Sequence, residues 1–173
     1  NITHIKCMTD SSEALAVIRT EIPEAVIRTQ FIVGFPGETE EQFLELLQFV
    51  EEQKFDRVGC FKYSPEDNTT GGKMPNQIDE DIKEDRYNRL MSLQQPISKE
   101  KHEKYIGKIL DVVVEGFSEE TDLLLKGRMS QQAPEIDGVV LINEGTAKVG
   151  EYVKVEITDA FEYDLIGRIV ESN

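Results

Sequence analysis

The 173-residue sequence is poor in the residues that build metal centres and disulfide frameworks: it has two cysteines, Cys7 and Cys60, two histidines, His4 and His102, and no tryptophan. Two isolated cysteines exclude a disulfide-stapled scaffold, and a self-contained zinc or iron–sulfur site needs about four ligands close together. Free thiols in so small a number fit a reducing, cytoplasmic compartment. Positive charge is scarce as well. Against 34 Asp and Glu stand 19 Lys and Arg, a formal charge of −15. Such a surface repels a phosphate backbone unless its cations are gathered in one patch, and the sequence gathers none. No apolar stretch approaches the ~18 residues that cross a bilayer, and no basic segment followed by an apolar one opens the chain, so a soluble protein without a leader is expected. Internal repeats and low-complexity tracts are also missing.

What is present falls into two kinds of pattern. The length allows one ordinary domain or two small ones, able to bury roughly 70 % of the surface an unfolded chain exposes. In the first half, helix and strand alternate. Asp10-Ser11-Ser12-Glu13 has the form of a capping box, followed at helical spacing by Ala14, Leu15, Ile18 and Ile22 until Pro23 intervenes. Val26 to Val33 is β-branched and aromatic, is bounded by Pro23 and by Gly34-Phe35-Pro36-Gly37, and reads as a buried strand. Thr39-Glu40-Glu41-Gln42 forms a second capping box, behind which Phe43, Leu46, Leu47 and Val50 make one helical stripe ending near Gln53. Arg57 to Tyr63 is the next strand, completing a strand–helix–strand crossover of the type found in parallel sheets. A long loop, Ser64 to Gln77, precedes a polar helix from about Asp79, which Pro96 is expected to kink or end.

After about Ser98 the alternation gives way to five short strand patterns: Lys108–Glu115, Leu123–Arg128, Val139–Ile142, Tyr152–Thr158 and Leu165–Val170. Five strands in this span suggest a small closed barrel of the OB type. The expected fold class is therefore α/β followed by all-β, with residues 1–97 and 98–173 as the two domains and a linker near Gln94 to Lys104. Their charges are −8 and −7.

The most specific stretch is Arg28-Thr29-Gln30-Phe31-Ile32-Val33-Gly34-Phe35-Pro36-Gly37-Glu38-Thr39. A strand entering a Gly-Pro-Gly turn and a capped helix brings backbone groups close to whatever lies at the strand's C-terminal end, where ligands bind in parallel α/β folds. A tight turn whose glycines satisfy only the backbone explains the same residues. Glu38, Glu40 and Glu41 invite a reading as catalytic acids, but carboxylates at a helix start are favoured by the macrodipole, and a solvated helix start is the simpler expectation. His4 and His102 have no acid or nucleophile partner in the pattern and are expected to be structural.

These residues carry a resemblance. The stretch Arg28–Thr39, the run Phe61-Lys62-Tyr63-Ser64-Pro65-Glu66-Asp67-Asn68-Thr69 and the run Arg86-Tyr87-Asn88-Arg89-Leu90-Met91-Ser92-Leu93-Gln94-Gln95 resemble, in order and spacing, signatures of the radical S-adenosylmethionine methylthiotransferases. The five-strand tail resembles a TRAM domain, and Arg128-Met129-Ser130-Gln131-Gln132-Ala133-Pro134-Glu135-Ile136-Asp137-Gly138 is similar to the form found in the RimO branch rather than the tRNA-modifying MiaB branch. RimO-type enzymes methylthiolate the β-carbon of an aspartate in a basic small-subunit ribosomal protein, using S-adenosylmethionine and two [4Fe–4S] clusters. The resemblance implies cofactor contacts by Ile32, Gly34, Phe35, Phe61 and Tyr63 near the adenine, with core packing the alternative for Ile32 and Phe61. It also implies substrate-protein contacts by Arg128, Glu135 and Asp137, with turn formation the alternative.

The family's cluster-binding cysteines are not in this sequence, and Cys7 and Cys60 are expected to be ordinary thiols. The expectation is accordingly a piece of a longer enzyme, the last βα units of a radical barrel plus a TRAM domain. It would ligate no cluster and turn nothing over alone, and it would be prone to dimerise through exposed strand edges. A MiaB-like fragment and a non-catalytic module that captures the ribosomal protein are the other readings. An independent OB-like nucleic-acid binder is disfavoured, because basic and aromatic residues are not interleaved on the strands.

Overall fold

The computed structural model describes the backbone of residues 2–170 and the side chains of residues 11–170; the side chains of His4 and Cys7 lie outside the described residues. By spatial proximity the chain divides into two compact units, Asn1–Ile97 and Ser98–Asn173.

In the first unit, helix α1 (Ile2–Glu21) leads to strand β1 (Arg28–Val33), helix α2 (Glu40–Gln53) and strand β2 (Arg57–Lys62). The helix expected to start at Asp10 instead runs through it. Ser and Asp cap a helix only where the chain ahead of them leaves helical geometry, and no Gly or Pro between Ile2 and Ser12 forces that departure. The capping box at α2 does form: the Thr39 hydroxyl accepts the Gln42 amide at 3.3 Å and Gln42 Oε1 accepts the Thr39 amide at 3.1 Å. β1 and β2 pair in parallel, from Arg28 opposite Arg57 to Val33 opposite Lys62. As the crossover pattern requires, α2 covers one face of this two-stranded sheet. Phe43, Leu46, Phe49 and Val50 from α2 pack with Val33, Phe55 and Cys60 in a single core.

Helix α3 (Glu80–Glu103) corrects a second expectation. Pro96 sits inside it and does not end it; residues 94 to 103, where the linker is expected, are helical, and the two units divide within them, after Ile97. A proline removes one hydrogen bond and crowds the preceding turn, at a cost of about 3 kcal/mol. Here burial on both sides outweighs that cost: Leu90 and Ile97 enter the core, and Gln94 Nε2 donates to the Phe55 carbonyl at 3.1 Å.

The second unit is a closed five-stranded barrel made of β3 (Ile109–Phe117), β4 (Leu125–Met129), β5 (Val140–Glu144), β6 (Tyr152–Ala160) and β7 (Leu165–Ile169). Its strand order is β3-β4-β5-β7-β6, antiparallel throughout except for β5 against β7. Alternation along each strand sends Val112, Val114, Leu125, Met129, Val140, Ile142, Val155, Ile157 and Leu165 inward, which fills so small a barrel with side chains alone. His102 is buried too, and its Nδ1 donates to the Phe161 carbonyl at 2.7 Å.

Candidate functional site

The five residues expected near a cofactor gather at the C-terminal ends of β1 and β2. Ile32 and Phe61 are direct neighbours in the parallel register, on the sheet face opposite Phe31 and Val33. Core packing, the simpler expectation for both, is not what the structure shows: Ile32 is 59 % and Phe61 52 % exposed. The period-two alternation of a strand puts them on the face away from α2. Just beyond, the Phe35 ring meets Tyr63 edge to face, with centroids 5.0 Å apart. The loop after β2 folds back on this pair. Its 3-10 turn at Gly71–Lys73 lies against the Tyr63 hydroxyl, and the Asn76 carbonyl accepts the Gly37 amide at 3.0 Å.

Between these residues Gly34 adopts φ +76°, a left-handed conformation that glycine takes without strain. Its amide donates to Glu38 Oε2 at 2.6 Å, and the same oxygen receives Arg86 Nη1 at 2.7 Å. Glu38 is thus no solvated helix-start carboxylate. It precedes the Thr39 cap, its side chain is only 15 % exposed, and it bridges the turn to α3. Glu40 does behave as expected of an exposed first-turn acid, pairing with Arg89 at 2.8 Å. Arg86, together with Lys83 one helical turn earlier, packs against this turn, a contact that sequence reading missed; both are almost fully buried.

A cavity of about 450 Å³ opens beside β1, lined by Leu15 of α1, Ile27, Phe31 and Ile32, Glu38, and Leu46 of α2. Of the five expected cofactor residues it includes Ile32 alone.

The described residues do not fit an iron–sulfur cluster. No group of three or more His, Cys, Asp or Glu among them is placed to hold a metal ion. Cys60 is buried, and desolvation, aided by the nearby Glu38 charge, pushes its thiol up to about 11, the opposite of what a thiolate ligand needs. At the same strand ends two exposed apolar side chains, Ile32 and Phe61, stand together beside a turn in which Gly37 is open and Gly34 is covered by the Lys83 stem.

On the barrel, Arg128 is held by Glu115 of β3 at 2.5 Å. Asp137 Oδ2 accepts the Ala133 amide at 2.7 Å, and Glu135 sits at φ 60° within that turn. Gln132, not singled out from sequence, organises this loop from inside: its Oε1 accepts the Met129 amide at 2.9 Å and its Nε2 donates to the Gly138 carbonyl at 2.7 Å. All four cations on the barrel strands are matched by carboxylates: Lys126 by Glu119, Arg128 by Glu115, Lys154 by Asp111 and Arg168 by Glu156.

Residues 106–170 match the family model of the TRAM domain, over the five barrel strands. Across the longer span, the chain is 70 % identical over 160 residues to a protein of Bdellovibrio bacteriovorus named ribosomal protein uS12 methylthiotransferase RimO, covering 92 % of this chain and 35 % of that protein. This chain resembles the RimO methylthiotransferases. RimO proteins of Geobacter sulfurreducens and Anaeromyxobacter sp. strain Fw109-5 are each 52 % identical over 158 residues and 91 % of this chain, or 35 % and 34 % of their own lengths. The chain therefore spans about a third of the length of the RimO relatives it matches. No helix of the described residues is long and apolar enough to cross a membrane.

Proposed function

We propose that this chain is part of a RimO-type enzyme that transfers a methylthio group to an aspartate of ribosomal protein uS12 in the cytoplasm. The observation that carries the reading is the 70 % identity over 160 residues to a protein named for that activity. When bound, S-adenosylmethionine and iron–sulfur clusters would supply the radical and sulfur chemistry, which belongs to the cofactors. This chain's share is to bind and orient. Ile32 and Phe61 offer an apolar seat for the adenine, Gly34 and Phe35 shape the turn beside it, and Tyr63 backs Phe35. Cluster ligands would come from elsewhere in the enzyme.

The barrel's share is the substrate protein. Its half of the chain carries a charge of −7, and the cations on its strands are already neutralised by neighbouring carboxylates. A basic ribosomal protein is drawn to such a surface and a phosphate backbone is not. Within it, Arg128, Glu135 and Asp137 mark the face and loop offered to the partner.

A salt titration of binding tests this role. The chain is expected to capture purified uS12 with an affinity that falls as salt rises, and to leave tRNA unbound. Equal capture of tRNA would replace the reading with the MiaB-like one.

A further inference from the structure

Helix α3 places two cations where charge is rarely found. Lys83 and Arg86 are 2 % and 4 % exposed, although Lys and Arg are almost never fully buried unless something specific holds them. Both converge on Gly34. The alkyl stem of Lys83 lies over the Gly34 α-carbon, so that a Cβ there would collide with Lys83 Cγ, while its ammonium reaches out to Glu80 at 2.6 Å. Arg86 acts from the other side and through Glu38. Nη1 holds the carboxylate oxygen that also accepts the Gly34 amide, Nη1 and Nη2 reach the Glu38 carbonyl at 3.3 and 3.4 Å, and the guanidinium stacks on Phe43 at 5.6 Å. Its Nε is buried with no hydrogen-bond partner.

Stability does not account for this arrangement. A buried ion pair is commonly no more stable than well-packed apolar side chains of the same volume, and an unsatisfied Nε adds a further cost. What the arrangement does accomplish is geometric: one carboxylate oxygen ties the end of β1 to α3, and one alkyl stem blocks the turn from collapsing. We propose that Arg86, acting through Glu38, and Lys83, acting by its stem, are positioning residues that hold the Gly34–Glu38 turn in the conformation that receives S-adenosylmethionine. The inference rests on the functional reading above and adds to it the residues of α3 that set the turn.

The test uses the full-length protein that carries this chain, with S-adenosylmethionine affinity measured by equilibrium dialysis and uS12 affinity measured alongside. Arg86→Lys keeps the charge but loses the two-pronged grip, and is expected to weaken S-adenosylmethionine binding by about tenfold or more while uS12 affinity stays within about twofold. Lys83→Met keeps the stem and is expected to bind normally, whereas Lys83→Ala, which loses it, should weaken binding. Arg89→Lys is the control, since Arg89 pairs with Glu40 and Asp85. A second readout needs no cofactor: in the chain alone, Arg86→Lys should accelerate hydrogen exchange at the Gly34 amide while Leu90 stays protected. If Arg86→Lys fails to fold, Lys83→Ala against Lys83→Met carries the test. Wild-type affinity in both Arg86→Lys and Lys83→Ala, or unchanged Gly34 exchange, would overturn this inference alone. Wild-type protein that binds no S-adenosylmethionine would overturn the functional reading and the inference with it.

Discussion

Replacing Gly34 by alanine isolates the contact that shapes the turn, because Gly37 three residues later supplies an internal reference. Both have positive φ, +76° and +81°, but a Cβ at Gly34 runs into the Lys83 stem and a Cβ at Gly37 meets nothing. The left-handed conformation costs a non-glycine residue about 1–2 kcal/mol. Reduced freedom of the unfolded chain returns about 0.4–1 kcal/mol. Gly37→Ala should therefore destabilise by about 1 kcal/mol. At Gly34 the displaced stem adds about two methylene groups returned to water, near 0.8 kcal/mol each, for a total of about 2.5 kcal/mol. In a Lys83→Ala background the collision is gone, so Gly34→Ala should fall back to about 1 kcal/mol, leaving a coupling of about 1.5 kcal/mol. The assay is urea unfolding with hydrogen exchange of the β1 and β2 amides, which reports the first unit by itself in a chain of two units. Equal costs at Gly34 and Gly37, or no relief from Lys83→Ala, would refute the reasoning.

Cys60 should react slowly with alkylating reagents at neutral pH, since burial disfavours its thiolate. Because its folded value of about 11 lies above the ordinary 9.0, its contribution to stability is complete below pH 9.0 and is lost as pH rises towards 11, a loss Cys60→Ala should not share; equal alkaline slopes would contradict this. Gln132→Ala removes a buried acceptor from the Met129 amide and a donor from the Gly138 carbonyl, and should destabilise the barrel by about 2 kcal/mol, read from exchange at β4 and β5 amides. The two-stranded sheet has no further paired strand among the described residues, so the isolated chain should self-associate as concentration rises; sedimentation as a monomer at every concentration would rule that out.

Local chemistry made much of the fold legible in advance. The capping box at Thr39 and Gln42 and the alternating barrel strands announce themselves within a few residues; so does the strand bounded by Pro23 and Gly34, though it is not the buried strand expected, since only Val33 of β1 is buried. The errors lie where distant residues decide. Pro96 looks like a helix end until Leu90 and Ile97 are seen in one core on either side of it. Glu38 looks like a helix-start acid until Arg86, 48 residues later, is found on its carboxylate. Lys83 carries no sequence signal at all, because a lysine on a polar helix is ordinarily a solvated one. Ile32 and Phe61 were ambiguous for another reason: an apolar residue in a strand looks the same whether it faces a core or a ligand.

The central claim is that this chain serves methylthiolation of uS12, and mass spectrometry of that ribosomal protein tests it most directly. Cells lacking the gene for the full-length protein should yield uS12 with an unmodified aspartate. Restoring the gene should add the mass of one methylthio group in place of hydrogen on that residue. Unmodified uS12 in both strains, or a modification that persists without the gene, would contradict the account.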